Sequence, residues 1–113
     1  MRLVEKPWGN EMIWAETEKY IGKILNVRAG QMLSLQYHEN KDESLYVRTG
    51  KIDVLIQDEH GNMITHTIQQ YRGIRIPPKT IHRIIAVIDS EILEVSTAHP
   101  DDVVRLEDQY GRV

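Results

Sequence analysis

The chain contains no cysteine among its 113 residues. Disulfide bonds, thiolate zinc sites, iron–sulfur clusters and cysteine nucleophiles are therefore excluded. Any metal ion that the protein holds must be bound through nitrogen and oxygen ligands.

Long apolar segments and an excess of basic charge are missing as well. No apolar stretch approaches the ~20 residues of a membrane-spanning helix, and the first residues turn charged too soon for a secretory signal. The 14 basic and 17 acidic side chains give a formal net charge of −3. We therefore expect a cytoplasmic protein that binds neither a membrane nor nucleic acid, because phosphate backbones require a basic face.

The length and composition suit one globular domain over residues 1–113. The hydrophobic fraction is 41% and the charged fraction 27%, both near the averages of globular proteins. A chain of this length can bury roughly two-thirds of its unfolded surface.

Apolar residues recur with a period of two, as in Ile52, Val54 and Ile56, which is typical of half-buried strands. The pattern predicts nine strands, at 10–16, 21–28, 31–38, 44–49, 51–58, 63–69, 73–76, 82–88 and 91–97. Helical periodicity is missing before position 100, and only Asp101–Arg112 is predicted to form a short helical turn. The sequence therefore predicts an all-β jelly-roll β-barrel with a short C-terminal segment.

The predicted strand 31–38 carries polar side chains, Ser34, Gln36 and His38, on one face and apolar side chains on the other. If the apolar face covers the core, the polar face is plain solvent surface. If the polar face looks into the barrel, it forms a pocket, because unpaired buried polar groups cost about 1–3 kcal/mol each.

Metal-ligating residue types gather at the end of this strand. His38 and Asn40 are two positions apart and can project to the same side, and Glu43 can join them from the start of the next strand. His82 follows the rigid Pro77-Pro78 turn and would have to reach them from across the barrel.

This arrangement resembles the cupin superfamily. The residues that match its first motif are Gly30, His38, Glu43 and Gly50, and those that match its second are Pro77 and His82.

A narrower resemblance covers nearly the whole chain. Lys6–Gly9, Gly30–Gln36 and Asp101–Arg112 are similar to the C-terminal cupin domain of type II mannose-6-phosphate isomerases. Members of that family differ from this chain at four positions, where Met32, Asn40, Lys41 and Lys79 stand in place of Arg, His, Arg and Gly. The family's domain often follows a nucleotidyltransferase, and guanylyltransferase activity is not expected of this chain.

The resemblance implies a divalent metal, with Zn, Mn, Ni and Fe(II) all compatible with the ligand types. The implied ligands are His38, Glu43 and His82, with Asn40 as a fourth candidate. The candidates for a proton-transferring base are Glu39, Lys79 and His66. The candidates for binding sugar hydroxyls and phosphate are Ser34, Gln36, Lys41, Lys79, Arg83 and Arg105.

The first functional hypothesis is thus a metal-dependent isomerase of a sugar or sugar phosphate. The alternatives are a non-catalytic sugar-binding or regulatory cupin and an Fe(II)-dependent dioxygenase, for which two histidines and one carboxylate also suffice. A homodimer is expected from the resemblance and from the exposed strand edges and faces of a small cupin.

Overall fold

The computed structural model describes all 113 residues, which form eleven strands and no helix. The strands are β1 (Arg2–Lys6), β2 (Gly9–Glu16), β3 (Tyr20–Val27), β4 (Leu35–Tyr37), β5 (Glu43–Thr49), β6 (Ile52–Gln57), β7 (Met63–Ile68), β8 (Gly73–Ile76), β9 (His82–Ala86), β10 (Ser90–Thr97) and β11 (Val104–Glu107). It therefore has no helix long and apolar enough to span a membrane.

The strands form two antiparallel sheets. One sheet has the order β1-β2-β3-β10-β5-β8 and the other the order β11-β4-β9-β6-β7. Neighbours within a sheet are mostly distant along the chain, as in the pairing of β10 with β3 and β5. This is the predicted all-β jelly roll.

The space between the sheets is apolar at one end and polar at the other. On β5 the inward side chains run from Glu43 through Leu45 to Val47, and on β10 they run from Ser96 through Glu94 to Ile92. The register pairs Glu43 with Ser96 and Val47 with Ile92, so the polar ends lie side by side.

Eleven buried apolar residues fill the other end. Val47, Ile52, Val54, Ile76 and Ile92 are fully buried there. Burial of each such side chain contributes about 1.5–3 kcal/mol, and this core is the rigid support on which the polar end is built.

All nine predicted strands are confirmed, with differences at their ends. The strand predicted at 31–38 is regular only over Leu35–Tyr37, and Met32 adds an isolated bridge to Ile85. β1, whose residues are mostly charged, is a further strand that the apolar pattern did not reveal.

The predicted helical turn at Asp101–Arg112 is wrong. Residues Val104–Glu107 are extended and pair with β4, with Val104 opposite Tyr37 and Arg105 opposite Gln36. The segment is extended because it can form backbone hydrogen bonds with the free edge of β4. Its local sequence does not indicate this pairing, which overrides local propensity.

Candidate metal centre

Three side chains converge at the polar end of the interior. One ligand atom from each of His38, Glu43 and His82 lies within 4.8 Å of the other two. The Glu43 carboxylate stands between the imidazoles, 3.6 Å from Nε2 of His38 and 3.5 Å from Nε2 of His82. All three residues are buried.

Three separate strands deliver these side chains. His38 directly follows β4, Glu43 begins β5 and His82 begins β9. Two contacts hold the strands in register: Gln36 pairs with His82 across β4 and β9, and the Lys79 N–H donates to the carbonyl of His38 at 2.6 Å. Lys79 has a φ of 62°, the left-handed conformation that favours glycine.

Both imidazoles are fixed so that Nε2 carries a free lone pair. Nδ1 of His38 bonds the carbonyl of Asp102, and Nδ1 of His82 bonds the carbonyl of Thr80 at 2.8 Å. A carbonyl only accepts, so Nδ1 carries the proton in both rings. The two Nε2 atoms are buried without any hydrogen-bond partner. A divalent cation would satisfy both lone pairs, and such tethering of the second ring nitrogen is typical of metal-binding histidines.

The electrostatics favour the protonation states that metal binding requires. Burial lowers the pKa of His38, which keeps its imidazole neutral. Burial alone would raise the pKa of Glu43, but the charge of the neighbouring Lys41 ammonium holds it below its ordinary value. A neutral imidazole and an ionised carboxylate are the ligating forms of these residues.

A buried ion-pair network adjoins the cluster. The Lys41 ammonium lies 2.9 Å from Glu43 Oε2 and 3.3 Å from Glu94 Oε2. Burial on its own would lower the pKa of Lys41, but the two carboxylates raise it above its ordinary value, so the side chain stays charged.

Glu94 is a residue that the sequence reasoning missed. A signal was available: in the predicted strand 91–97, Glu94 shares the face of Ile92, an unusual place for a carboxylate in a half-buried strand.

A cavity of about 130 Å³ opens beside the cluster. Its wall includes His38 together with side chains from both sheets and from the C-terminal segment. The charged residues of the wall are Lys6, Lys23, Lys41, Arg105 and Arg112, and Glu11, Glu94 and Asp102. Basic side chains thus outnumber acidic ones in a protein whose overall charge is negative.

The polar face of the 31–38 segment looks into this cavity. Ser34 and His38 are buried, Gln36 is half-buried, and all three lie in the wall. Ser34 Oγ donates to Gln36 Oε1 at 2.8 Å. Of the two interpretations left open by the sequence, the pocket is therefore the one that the fold adopts.

The other candidate residues for substrate binding separate into two groups. Lys41 and Arg105 line the cavity. Arg83 does not, because its guanidinium donates to the carbonyls of Leu33 and Glu107. Asn40, the fourth candidate metal ligand, is exposed on the turn after β4.

The three sequence-based candidates for the base lie elsewhere. Glu39, Lys79 and His66 are all exposed, and none belongs to the cavity wall. Their catalytic role stays a prediction from sequence.

Asp102 connects the C-terminal segment to the cluster. Its carboxylate accepts the backbone N–H groups of Glu39, Asn40 and Lys41 at 2.7–2.9 Å, while its carbonyl holds His38. The hydrogen bonds from the Asn40 and Glu39 N–H groups keep the pKa of this carboxyl below its ordinary value.

Comparison with known proteins identifies one protein family and several relatives of this chain. The family model described as "Mannose-6-phosphate isomerase C-terminal" matches residues 1–108. The alginate biosynthesis protein AlgA of Pseudomonas aeruginosa is 32% identical over 114 residues, with 96% of this chain and 23% of AlgA covered. The mannose-1-phosphate guanylyltransferase ManC of Salmonella typhimurium is 33% identical over 117 residues, with 99% and 23% covered. The chain thus spans about a quarter of the length of these relatives.

Solved structures share the fold. KdgF from Halomonas sp. superposes with a TM-score of 0.76 at 19% identity, covering 89% of each chain. Oxalate decarboxylase from Bacillus subtilis superposes with a TM-score of 0.78 at 18% identity, covering 93% of this chain and 30% of that one.

Proposed function

The chain belongs to the family of mannose-6-phosphate isomerase C-terminal domains, and we propose that it is a metal-dependent isomerase of small sugar phosphates. The observation that carries the proposal is the pair of buried Nε2 atoms without partners, facing the Glu43 carboxylate at the edge of a cavity.

The ligand set fits a divalent cation. Two imidazole nitrogens and one carboxylate oxygen suit Zn, Mn, Ni or Fe(II) and leave coordination positions for water or substrate. Bound there, the ion would act as a Lewis acid that polarises a substrate carbonyl or the neighbouring hydroxyl.

Arg105 supports the phosphate end of the proposed substrate. The four lysine and arginine side chains that share the cavity wall with it each have a carboxylate within 4.0 Å. Arg105 has no such counter-ion, and its buried Nε has no hydrogen-bond partner. A guanidinium without a counter-ion is suited to bind a phosphate, because phosphate oxygens accept paired, charge-assisted hydrogen bonds.

The sheet sets the distance between the two ends of the site. Arg105 pairs with Gln36, and Gln36 pairs with His82, so the three lie in one row across β11, β4 and β9. Two inter-strand spacings place the Cα atoms of Arg105 and His82 roughly 10 Å apart. A ligand with its carbonyl at the histidines and its phosphate at Arg105 would pass Gln36 and Ser34, whose polar groups suit sugar hydroxyls.

A non-catalytic sugar-binding role is the second candidate. The exposure of Asn40 favours it, because the buried cluster then offers three protein ligands where the related motif would offer four. This alternative requires saturable binding without turnover. The dioxygenase alternative requires oxygen consumption.

The test begins with the metal content of the purified protein by mass spectrometry, followed by isomerase assays with mannose 6-phosphate and fructose 6-phosphate. We expect about one divalent ion per chain and interconversion of the two sugars. His82→Ala should lose the ion and the activity while keeping the β-sheet circular dichroism spectrum. His60→Ala is the matched control, because His60 is exposed on the turn between β6 and β7, and it should keep both.

Full metal content in folded His82→Ala would overturn the metal centre. Binding of either sugar phosphate without interconversion by the metal-loaded wild type would favour the sugar-binding alternative.

A further inference from the structure

The proposed isomerisation needs a group that moves a proton between two neighbouring carbons. His38, Glu43 and His82 are committed to the metal and cannot readily act as this base. The three exposed candidates from the sequence do not line the cavity. The cavity wall does contain three carboxylates, those of Glu11, Glu94 and Asp102.

Two of these carboxylates are engaged elsewhere. Asp102 accepts three backbone N–H groups and shapes the turn after β4. Glu11 lies on β2, where its carboxylate is 3.5 Å from the Lys23 ammonium and 4.0 Å from that of Lys6.

Glu94 is the remaining carboxylate of the cavity wall. It projects inward from the middle of β10 and is 6% exposed. Its carboxylate and that of Glu43 flank the same Lys41 ammonium, at 3.3 and 2.9 Å. No hydrogen bond or ion pair joins Glu94 to the three ligands, and Glu94 lines the cavity that His38 also borders.

We propose that Glu94 is the acid–base catalyst of this site, the residue that carries the proton between C2 and C1 of the sugar phosphate. The assignment rests on the proposed function.

For an aldose, Glu94 moves the proton in two steps. The Glu94 carboxylate takes the proton from C2, the electron pair of the C2–H bond forms the C1–C2 double bond, and the carbonyl pair moves to O1. The O2 proton then passes to O1 while the C2–O2 double bond forms, and protonated Glu94 returns its proton to C1. The product is the ketose, and Glu94 is again ionised.

The surroundings of Glu94 suit both halves of this cycle. When the carboxylate takes a proton, one negative charge moves from Glu94 to the substrate, and the Lys41 ammonium remains beside both. Burial raises the pKa of Glu94 above its ordinary value, which makes the carboxyl better able to hold a proton between the two steps.

The experiment measures proton transfer directly. Metal-loaded wild type, Glu94→Gln and Glu91→Gln are incubated with mannose 6-phosphate in D2O, and deuterium at C2 and C1 of the recovered sugars is followed by NMR. Metal content and the dissociation constant for mannose 6-phosphate are measured for each protein. Glu91→Gln is the matched control, because it neutralises a carboxylate on the same strand that lies outside the cavity and pairs with Arg48.

We expect Glu94→Gln to lose about 10²–10⁴-fold in kcat and in the rate of deuterium incorporation, with metal content and sugar-phosphate affinity unchanged. Glu91→Gln should incorporate deuterium at the wild-type rate.

Wild-type incorporation by Glu94→Gln would overturn the assignment while leaving the isomerase proposal intact. Loss of metal from Glu94→Gln would also overturn it, since Glu94 would then be a positioning residue. Absence of both turnover and deuterium incorporation in the metal-loaded wild type would instead overturn the proposed function, and the role of Glu94 with it.

Discussion

At the scale of single residues, the two histidines of the cluster are held in different ways. His82 bonds the carbonyl of Thr80, two residues earlier in its own turn. His38 bonds the carbonyl of Asp102, 64 residues further along the chain. The orientation of His82 is therefore a local property, whereas that of His38 requires the C-terminal segment to be in place.

This difference makes Asp102 a positioning residue for metal binding. Asp102→Ala removes the carboxylate that accepts the N–H groups of Glu39, Asn40 and Lys41, so the turn that follows His38 loosens. Loss of such outer support typically weakens metal affinity by about 10–100-fold. We expect a weakening of this size in a competition titration against a chelator.

Asp101→Ala is the matched control, because Asp101 is exposed beside it and its side chain makes no hydrogen bond. Equal metal affinities for the two variants would show that the carboxylate of Asp102 plays no part in positioning His38.

At the scale of elements, the C-terminal segment closes one side of the cavity. β11 contributes Arg105, and the turn after it contributes Arg112. The Asp108 carboxylate holds that turn by accepting the backbone N–H groups of Tyr110 and Arg112 and the guanidinium of Arg112. The Tyr110 hydroxyl ties the same turn to Gln31.

We expect the Asp108 carboxylate in this turn to make a pH-dependent contribution to the free energy of unfolding. The hydrogen bonds from Arg112 hold the pKa of Asp108 at about 2, below its ordinary value of 3.8. In the unfolded chain the carboxyl takes up its proton at a higher pH than in the folded protein, so acid favours unfolding. The stabilisation from Asp108 is therefore complete above about pH 4 and is lost as the pH falls towards 2.

Asp108→Asn isolates this contribution. In urea unfolding the variant should be less stable than wild type at pH 7, and the difference should shrink between pH 4 and pH 2. A difference in unfolding free energy that is the same at both ends of this range would contradict the role assigned to the carboxylate.

At the scale of the whole molecule, a row of apolar side chains crosses the outer face of the six-stranded sheet. The register places Leu3, Met12, Ile24, Leu93 and Tyr46 in one row across β1, β2, β3, β10 and β5. Leu3 is 53% exposed and Tyr46 40% exposed. A contiguous exposed apolar patch of this kind is typical of an interaction surface.

We expect this face to pair with the same face of a second copy. In a two-fold dimer the same surface of both copies forms the interface, so the apolar row of one copy would pack against that of the other. A stable pair buries about 800 Å² on each partner. Light scattering coupled to size exclusion should give a dimer for wild type and a monomer for Leu93→Asp, both with the same circular dichroism spectrum.

Ile64→Asp is the control, because Ile64 is 42% exposed on the other sheet, and it should remain dimeric. A wild-type monomer at micromolar concentration, or a dimeric Leu93→Asp, would contradict this assignment.

The amino-acid sequence by itself determined the features that depend on near neighbours. Strand alternation is a local property, so the period-two pattern predicted nine strands and the jelly roll. His38, Glu43 and His82 were also identifiable, because each stands at a strand end or after a rigid turn, at the spacing of a known motif.

Only the tertiary structure decided which residues meet. Alternation shows that Ser34, Gln36 and His38 share a face, but whether that face is covered depends on the strands that pack over it. Lys41 and Glu94 are 53 residues apart, and β11 is a strand only because β4 leaves it an edge. Such contacts join segments that are distant along the chain, and no local pattern of side chains indicates them.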